Sequence, residues 1–512
     1  MGTTRCVIGV DIGTTSTKAI LYDDTASILA QHSVEYPLLT PTPGAAEQDP
    51  EQILQAVVEA IGQVSGRVNP AQIACVSFSA AMHSLIAVDA LGQPLSRCIT
   101  WADTRSAAWA ERLKQAGGQD IYRRTGTPIH PMSPLVKLCW LRDTQRTLFD
   151  AAARFVSIKE YVFHSFFKRY VVDHSIASAT GLFNISTLDW DSEALGFAGI
   201  TPERLSTPVP TTDRIEGLDA DIARRTGLAA GTPFIIGAND GALANIGVNA
   251  IQPGSVAVTI GTSGAIRTVV ETPVTDPQGR TFCYVVAPGL WVVGGPVNNG
   301  GIILRWLRDE LATAEVEAAK RLGMDPYDVL TKVAEQVGAG AGGLLFHPYL
   351  AGERAPLWNA DARGSFFGLA LHHRREHLIR AVLEGVIFNL YAVLKILEEV
   401  AGKTERVSAS GGFARSRLWR QIMADIFNRE VVVPESHESS SLGAAVLGLY
   451  AIGAIPALQS VAGMVGQKEC HQPNPVDAQR YQRLAPLYLR LPGLLEDAYR
   501  DIAAYQRSTP GA

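Results

Sequence analysis

Two short glycine-containing turns of similar sequence have the residue types that bind phosphate. Residues 11–16 read Asp-Ile-Gly-Thr-Thr-Ser and residues 259–264 read Thr-Ile-Gly-Thr-Ser-Gly. In each turn the glycine lets the backbone approach a ligand closely, and hydroxyl and amide donors follow it. Neither turn is a Walker A loop, because the GxxxxGK[ST] pattern does not occur at these positions. A plain hairpin turn is the alternative for either turn taken alone.

The two turns differ at their first residue, which is Asp11 in one and Thr259 in the other. A carboxylate at a strand end can hold Mg²⁺ through water, whereas a neutral hydroxyl is suited to hydrogen bonds with phosphate oxygens. A single magnesium-bound nucleotide would need one turn that helps to hold the metal and a second turn that binds only phosphate oxygens. Lys18 follows the first turn and could add positive charge to it.

Two further segments complete a possible phosphoryl-transfer site. Gly411 and Gly412 end an apolar segment that leads into a helix, and backbone without Cβ atoms suits a flat adenine and its ribose. Asp240 follows the apolar run 233–238, where a carboxylate can accept the proton of an attacking hydroxyl. Phosphoryl transfer needs such a base together with positioning and charge neutralisation. The alternative for the two glycines is a strand-to-helix turn that requires positive φ, and the alternative for Asp240 is a helix N-cap.

The elements around these residues indicate an α/β protein with a duplicated fold. Strands are predicted at 6–10, 18–22 and 33–38, then a helix with Asp49 as its N-cap, then a buried strand at 73–78. This is the order of a ribonuclease H-like fold. Because strands at 255–258 and 265–270 flank the second turn in the same way, we predict two such domains, 1–250 and 251–512. A terminal helix is predicted from about 480 to 505.

Composition excludes several classes of protein. The 512 residues suffice for two large domains, and 47% are hydrophobic. The net charge of −5, without a long run of one sign, argues against a nucleic-acid partner. The six cysteines are scattered without a CxxC spacing and are expected to be buried thiols in a reducing compartment. The first residues have no signal-peptide layout and no apolar stretch is long enough to cross a bilayer, so we expect a cytoplasmic protein without a membrane partner.

Four longer segments carry a resemblance to a known family. Residues 132–144 and 364–384 are similar to the two signatures of the FGGY family of carbohydrate kinases, and residues 175–181 and 349–358 are also family-like. The resemblance covers nearly the whole chain. It departs at Thr144, where the family usually has an amide, an acid or a histidine, and that position touches no chemistry.

The resemblance implies two ribonuclease H-like (actin-like ATPase) domains that close on the substrate, with ATP and the active site in the cleft between them. It implies that Asp240 is the catalytic base and that Asp11, together with Asp240, holds Mg²⁺. The nucleotide-binding residues that it implies are Thr14, Thr15, Thr262, Gly300, Gly301, Gly411, Gly412 and Arg415, and the chemistry of the two turns adds Gly13, Lys18 and Gly261. Dimers are common in the family, so a homodimer is also expected.

The acceptor is predicted from segments that follow the strand at 73–78. Residues 79–84, 100–105 and 127–134 resemble the members that convert D-gluconate to 6-phosphogluconate, and Ala81 replaces a glutamine of the members that phosphorylate xylulose. Gluconate is an anion that needs a compensating donor such as Arg105. Xylulose kinases carry a similarly placed arginine, so xylulose or another pentulose or polyol stays the alternative. The candidate contacts are Met82, His83, Trp101, Asp103, Arg105, His130 and Asp240.

Other functions remain for some of these residues and for the chain. Met82 could have a packing role alone, and His130 could be a loop histidine whose ring makes only local hydrogen bonds. Chaperone and cytoskeletal ATPases share the duplicated pattern, but they lack the segment 79–84 and the two signatures. A chaperone would also need a peptide-binding domain, for which no residues remain after 453. A regulator without activity is disfavoured because Asp11 and Asp240 are both present.

Overall fold

The computed structural model describes residues 5–435 and 438–509. Residues 1–4, where the sequence predicts no targeting signal, lie outside the described part. Within these ranges no helix has both the length and the apolar character that a membrane span requires.

Strands and helices occur along the whole described chain. The strands are β1 (Cys6–Ile12), β2 (Ser16–Tyr22), β3 (Ile28–Glu35), β4 (Glu47–Gln48), β5 (Ile73–Ala80), β6 (Ile86–Val88), β7 (Cys98–Ile99), β8 (Arg154–Val156), β9 (Val171–Asp173), β10 (Phe183–Asn184), β11 (Asp189–Trp190), β12 (Thr207–Val209), β13 (Arg214–Ile215), β14 (Phe234–Asn239), β15 (Ser255–Ile260), β16 (Gly264–Val270), β17 (Phe282–Ala287), β18 (Leu290–Val297), β19 (Leu345–His347), β20 (Ser365–Phe367), β21 (Arg406–Ser410), β22 (Glu430–Pro434) and β23 (Gln467–His471).

The α-helices are α1 (Pro50–Ser65), α2 (Ala107–Gln115), α3 (Gly118–Thr125), α4 (Pro134–Thr144), α5 (Arg146–Ala151), α6 (Ile158–Phe167), α7 (His174–Ser178), α8 (Ser192–Ala198), α9 (Ala220–Thr226), α10 (Asp240–Gly247), α11 (Gly301–Trp306), α12 (Thr313–Leu322), α13 (Pro326–Ala334), α14 (Arg375–Ala401), α15 (Arg417–Phe427), α16 (Ser439–Ala451), α17 (Pro475–Leu494) and α18 (Glu496–Ser508). Short 3-10 turns lie at Pro70–Gln72, Pro202–Arg204, Ala341–Gly343, Gly412–Arg415 and Leu458–Gly463, and a π-helical turn at Leu307–Leu311.

Two mixed sheets repeat one strand arrangement. The first has the order β13-β14-β5-β1-β2-β3 and the second the order β17-β18-β16-β15-β21-β22-β23. In the first, β1 pairs antiparallel with β2 and parallel with β5. In the second, β15 pairs antiparallel with β16 and parallel with β21. Each glycine-containing turn therefore connects the two strands of a hairpin, and the two hairpins occupy equivalent places in their sheets. The predicted duplicated α/β fold is confirmed.

The N-terminal elements follow from local sequence, with one shift in position. Helix α1 begins as predicted, because the Asp49 side chain accepts from the amides of Glu51 and Gln52 and Pro50 is the first helical residue. Strand β3 spans Ile28–Glu35 and not the predicted 33–38. It starts at once after a turn in which Asp23 accepts from the amide of Ser27 at 2.9 Å. It ends before Pro37, which cannot donate to a ladder.

The contacts within the chain divide it into two compact units. Unit 1 consists of residues 1–252, 269–293 and 438–466, and unit 2 of residues 253–268, 294–437 and 467–512. Both include positions outside the described ranges. The sequence assigned residues 438–466 to the second predicted domain, whereas by contact they belong with the first 252 residues.

Close helix packing explains why residues 438–466 join unit 1. A Cβ on Gly443 of α16 would lie 1.9 Å from the carbonyl oxygen of Leu243 on α10, and a Cβ on Gly247 would lie 1.9 Å from that of Ser439. On β1, a Cβ at Gly9 would lie 2.3 Å from the carbonyl oxygen of Ser441. Glycine at these three positions lets α16 pack backbone to backbone against α10 and β1.

Two predictions about the C-terminal helix and the cysteines need correction. The terminal helix begins at Pro475 and not near 480, because Asn474 caps it by accepting from the amides of Val476 and Asp477, and a second helix follows at Glu496–Ser508. None of the six cysteines, all within the described ranges, forms a disulfide, and five are buried as expected, but Cys470 on β23 is exposed.

Candidate active site

Asp11 lies at the end of β1 and is held by the neighbouring parallel strand. Its Oδ1 accepts a hydrogen bond from the hydroxyl of Ser79 at 2.6 Å. In unit 2, Thr259 has the equivalent place on β15, and its hydroxyl lies 3.0 Å from that of Ser410 on β21. The two turns thus have the same serine support but different chemistry, a carboxylate in one and a hydroxyl in the other.

Asp240 is the first residue of α10, at the tip of β14. The N-cap of this helix is Asn239, whose side chain accepts from the amide of Ala242 at 2.8 Å. The alternative role of Asp240 as the N-cap is therefore wrong. The Asp240 carboxylate accepts from the amide of Gly241 at 2.7 Å and is partly exposed. A negatively charged side chain at a helix N-terminus interacts favourably with the helix dipole.

Asp11 and Asp240 influence each other electrostatically. Burial, followed by the negative charge of Asp240, raises the pKa of Asp11 to about 6. The hydrogen bond from Ser79 and the charge of Lys18 act in the opposite direction and lower that pKa. Two like charges at one place in unit 1 indicate a site that a cation would stabilise.

This pair of carboxylates fits Mg²⁺. Among the described residues, no group of three or more His, Cys, Asp or Glu side chains could hold a metal on its own. Mg²⁺ is usually bound by one or two carboxylates, retained water and substrate phosphates, and not by a cage made only of protein ligands. Asp11 and Asp240 provide the protein share of such a set.

The first turn is held from two sides. The amide of Gly13 donates to the carbonyl of Ser16 at 2.9 Å, and the hydroxyl of Tyr36 donates to the carbonyl of Gly13 at 2.8 Å. Thr15 is exposed, as a phosphate contact would require. The Lys18 ammonium lies 2.8 Å from both carboxylate oxygens of Glu438, so its charge is already paired in unit 1. That Gly13, Thr14, Thr15 and Lys18 bind nucleotide stays a prediction.

Trp101 contacts the first turn, whereas His83 is held by a different segment of unit 1. The indole N–H of Trp101 donates to the hydroxyl of Thr14 at 2.9 Å. The ring of His83 bonds the carbonyl of Ala179 through Nδ1 at 2.7 Å, and its backbone has a φ of 68°. A non-glycine residue in this region is strained, and such strain is common at functional sites.

Asp103 and Arg105 form a partly buried ion cluster with Glu47, a residue that the sequence did not indicate. The Arg105 guanidinium lies 2.7 Å from Asp103 Oδ2 and 2.7 Å from Glu47 Oε1. Asp103 also accepts from the amide of Ala46 at 3.0 Å. The guanidinium stacks 4.7 Å from the ring centroid of Trp140. Asp103 is 1% exposed, so its carboxylate serves to position Arg105.

Met82 and His130 have packing roles in addition to their predicted substrate contacts. Met82 packs against the two apolar clusters around Ala179 and Phe183. His130 accepts from the amide of Met132 at 3.2 Å through Nδ1, and its ring is partly exposed. Neither observation tests a contact with substrate, so the substrate contact of both side chains stays a prediction.

In unit 2, the second turn is built onto the start of α11. The amide of Gly301 donates to the carbonyl of Gly261 at 2.7 Å, and the amide of Ile302 donates to that of Thr262 at 3.0 Å. A Cβ on Gly300 would lie 2.4 Å from the carbonyl oxygen of Ser263, and one on Gly301 would lie 2.6 Å from that of Gly261. The structure therefore brings four of the predicted nucleotide residues together.

The glycine pair at 411–412 divides into one packing and one open position. Gly411 has a φ of 93°, and a Cβ there would lie 2.4 Å from the carbonyl oxygen of Ile260. Gly412 has no heavy atom within 4 Å of its ideal Cβ position. A 3-10 turn, Gly412–Arg415, precedes α15, and Arg415 is exposed. The open backbone at Gly412 is the surface on which a flat ring could lie.

Sequence reasoning missed the partners that hold these residues. Glu47 and Glu438 have no local signal, because their partners lie far away in the chain. Lys137 lies in the signature segment 132–144, and sequence reasoning assigned it no role. It stands among Leu135, Val136, Leu138 and Cys139, and a lysine in such an apolar run is a signal for a buried ammonium.

The paired sheets with hydroxyl-rich hairpin turns define the two-domain actin-like ATPase fold. The N-terminal domain of the FGGY family of carbohydrate kinases matches residues 6–247, and the C-terminal domain of that family matches residues 256–452. The chain belongs to the FGGY family of carbohydrate kinases.

Individual relatives cover nearly all of the chain. It is 54% identical over 506 residues to a gluconokinase of Bacillus subtilis (strain 168), covering 98% of this chain and 99% of the relative. The crystal structure of gluconate kinase from Lactobacillus acidophilus superposes with a TM-score of 0.93 at 38% identity, covering 98% and 100% of the two chains. That of a ligand-bound xylulose kinase from Lactobacillus acidophilus has a TM-score of 0.92 at 39% identity, covering 97% and 100%.

Proposed function

We propose that this protein transfers the γ-phosphoryl group of ATP to the 6-hydroxyl of D-gluconate, giving 6-phosphogluconate and ADP. The observation that carries the proposal is the partly exposed carboxylate of Asp240, which starts α10 beside Asp11 and is not used as the helix cap. The identity of 54% to the gluconokinase of Bacillus subtilis, against 29% to the xylulose kinase of the same organism, supports gluconate as the acceptor.

Asp240 is the general base. Its carboxylate accepts the proton of the 6-hydroxyl while the bond between O6 and the γ-phosphorus forms and the bond to ADP breaks. Asn239 caps α10, which leaves the Asp240 carboxylate directed by its own bond to the Gly241 amide. Thr14 and Thr15 in unit 1 and Thr262 in unit 2 supply donors for phosphate oxygens.

Asp11 and Asp240 are the residues that would hold Mg²⁺. When bound, Mg²⁺ neutralises the negative charge of the phosphates. Ser79 keeps the Asp11 carboxylate oriented at the strand end through its 2.6 Å hydrogen bond. Gly300, Gly301, Gly411, Gly412 and Arg415 are the proposed contacts of the nucleotide in unit 2.

The acceptor is proposed to lie against His83, Trp101, Arg105 and His130, with Met82 and Asp103 as supports. A sugar acid places a carboxylate beside the Arg105 cluster, and charge-assisted hydrogen bonds to a carboxylate are about twice as strong as neutral ones. Xylulose or another pentulose or polyol is the second candidate, since Arg105 is also compatible with neutral acceptors.

A coupled assay of ADP release over gluconate, xylulose, ribulose and glycerol tests this proposal. We expect gluconate to have the highest kcat/KM, and phosphorus NMR of the product should show a phosphomonoester on carbon 6. A higher kcat/KM for xylulose would overturn the choice of acceptor. A homodimer and a cytoplasmic location stay predictions, and light scattering during gel filtration tests the first.

A further inference from the structure

Lys137 connects the two segments that carry the proposed acceptor contacts. It lies on α4, and its side chain is 0% exposed. Its ammonium donates to the carbonyl of His83 at 2.6 Å and to the carbonyl of Thr100 at 2.8 Å. One bond fixes the strained backbone at His83, and the other fixes the residue before Trp101. A single buried side chain thus sets the spacing between these segments.

Lys137 also sets the charge of this part of unit 1. The Arg105 guanidinium is shared by two carboxylates, those of Asp103 and Glu47, at 2.7 Å each. These three groups together carry one net negative charge, which disfavours an anionic acceptor. The Lys137 ammonium brings the group to neutrality. Arg97, 3.8 Å from Glu47, is half-exposed, so solvent screens its contribution.

We propose that Lys137 is a positioning residue that fits this site to an anionic sugar acid, by holding the His83 and Trp101 segments together and by supplying the positive charge that balances the Asp103–Arg105–Glu47 cluster. This inference rests on the proposed function, in which the acceptor is a sugar acid. Lys137 does not touch the acceptor, since its two bonds are to backbone carbonyls of the protein.

A change of pH can distinguish the effect of the Lys137 charge from its effect on the spacing of the His83 and Trp101 segments. The groups that face the Lys137 ammonium are Asp103, Arg105 and the thiol of Cys98, and burial lowers the pKa of Lys137 to about 7. Burial raises the pKa of Cys98 to about 12, so this thiol stays neutral. A neutral amine still has two N–H groups and keeps both carbonyl bonds. Above pH 7 the spacing therefore persists while the positive charge is lost.

The test compares an anionic and a neutral ligand in the wild-type enzyme from pH 6 to pH 9. The KM for D-gluconate is measured at saturating ATP and Mg²⁺. The inhibition constant of D-glucitol, a neutral polyol with a similar chain of hydroxyls, is measured against gluconate. We expect the gluconate KM to rise about tenfold over the two pH units above 7, while the glucitol constant changes less than twofold. A gluconate KM that stays flat, or a parallel rise for glucitol, would overturn the role of the charge.

Substitution of the lysine completes the test. In Lys137→Met we expect a gluconate KM at least tenfold higher at pH 6.5, no further rise with pH, and an ATP KM within twofold of wild type. Lys114→Met, on the exposed side of α2, is the matched control and should leave all constants unchanged. A Lys137→Met enzyme with the wild-type gluconate KM and pH profile would refute the proposal. If Lys137→Met does not fold, the wild-type pH profile decides alone.

The outcome is distinct from failure of the proposed function. An enzyme that phosphorylates gluconate with a KM independent of pH contradicts only the role of Lys137. An enzyme that does not phosphorylate gluconate contradicts the proposed function before the pH profile is measured.

Discussion

The indole N–H of Trp101 donates a hydrogen bond to the hydroxyl of Thr14 at 2.9 Å. Trp101 belongs to a segment predicted to bind the acceptor, and Thr14 belongs to the turn predicted to bind phosphate. Lys137 holds the carbonyl of Thr100, directly before Trp101, at 2.8 Å. Within unit 1, the position of the phosphate turn is therefore coupled to that of the acceptor segment.

Replacing the indole should weaken this coupling. In Trp101→Phe the Thr14 hydroxyl loses its donor, and a neutral hydrogen bond contributes about 0.5–1.5 kcal/mol, so kcat/KM with ATP varied should fall about two- to tenfold. Steady-state kinetics and thermal unfolding measure the two effects. Trp109→Phe is the control, because Trp109 makes the same kind of bond to Asp143 at an exposed place. Wild-type kinetics in Trp101→Phe would show that the bond does not position Thr14.

Asp240→Asn tests the general base. The amide keeps the shape of the side chain but cannot accept a proton, and loss of a general base costs about 10²–10⁴ in rate. We expect kcat to fall by this factor while the affinity for ADP, measured by calorimetry, stays within a few-fold. Asp219→Asn is the control, because Asp219 caps α9 and asparagine is an equally good cap. Turnover near that of wild type in Asp240→Asn would remove Asp240 from this role.

Asp11→Asn tests whether the ionised carboxylate of the proposed metal site lowers the stability of the folded protein. The folded-state pKa of Asp11 is about 6, above the value of 3.8 for an unperturbed aspartate, so ionised Asp11 destabilises the folded protein. This cost is absent below pH 4 and fully present above pH 6. One pKa unit equals about 1.4 kcal/mol, and partial exposure reduces the effect, so the cost should be about 1–3 kcal/mol.

Without divalent metal, Asp11→Asn should therefore have a higher Tm than wild type at pH 8. The difference should shrink as the pH falls from 6 to 4. Activity should be lost at every pH, since the proposed Mg²⁺ ligand is gone. Asp24→Asn, in an exposed turn, serves as the control and should leave Tm unchanged. A lower Tm for Asp11→Asn at pH 8 would contradict the electrostatic cost.

Local sequence patterns were sufficient for the hairpins and for the strand that carries Asp240. The turn residues after β1 and β15 and the apolar run of β14 are short-range signals, and the structure has them where they were predicted. The cap of α17 was also readable, since Asn474-Pro475 is a helix-start signal that the prediction passed over.

Long-range pairs were not predictable in this way. Lys18 and Glu438 are 420 positions apart, and no local period indicates that they meet. Arg105 and Glu47 are likewise joined only by the fold. The return of α16 to unit 1 depends on glycines whose lack of a side chain matters only once the neighbouring backbone is known.

The contact between the second turn and α11 gives a prediction for unit 2. Gly301 is the first residue of α11, and inside a helix alanine is favoured over glycine by about 0.5–1 kcal/mol, so by helix propensity alone Gly301→Ala would not lower the Tm. Here a Cβ would lie 2.6 Å from the carbonyl oxygen of Gly261, which is backbone and can move only with its turn. Gly301→Ala should therefore lower the Tm, and overpacking of this kind costs about 1–3 kcal/mol.

Displacement of the Gly261 turn should also weaken nucleotide binding. We expect the ATP KM of Gly301→Ala to rise about tenfold, equal to about 1.4 kcal/mol, while the gluconate KM changes less than twofold. Gly231→Ala is the control, because no heavy atom lies within 4 Å of its ideal Cβ position. A raised Tm together with an unchanged ATP KM in Gly301→Ala would show that the turn is not built on α11. Alanine favours the helix but clashes with the carbonyl oxygen of Gly261. A raised Tm would therefore mean that helix propensity outweighs the clash, and a lowered Tm that the clash dominates.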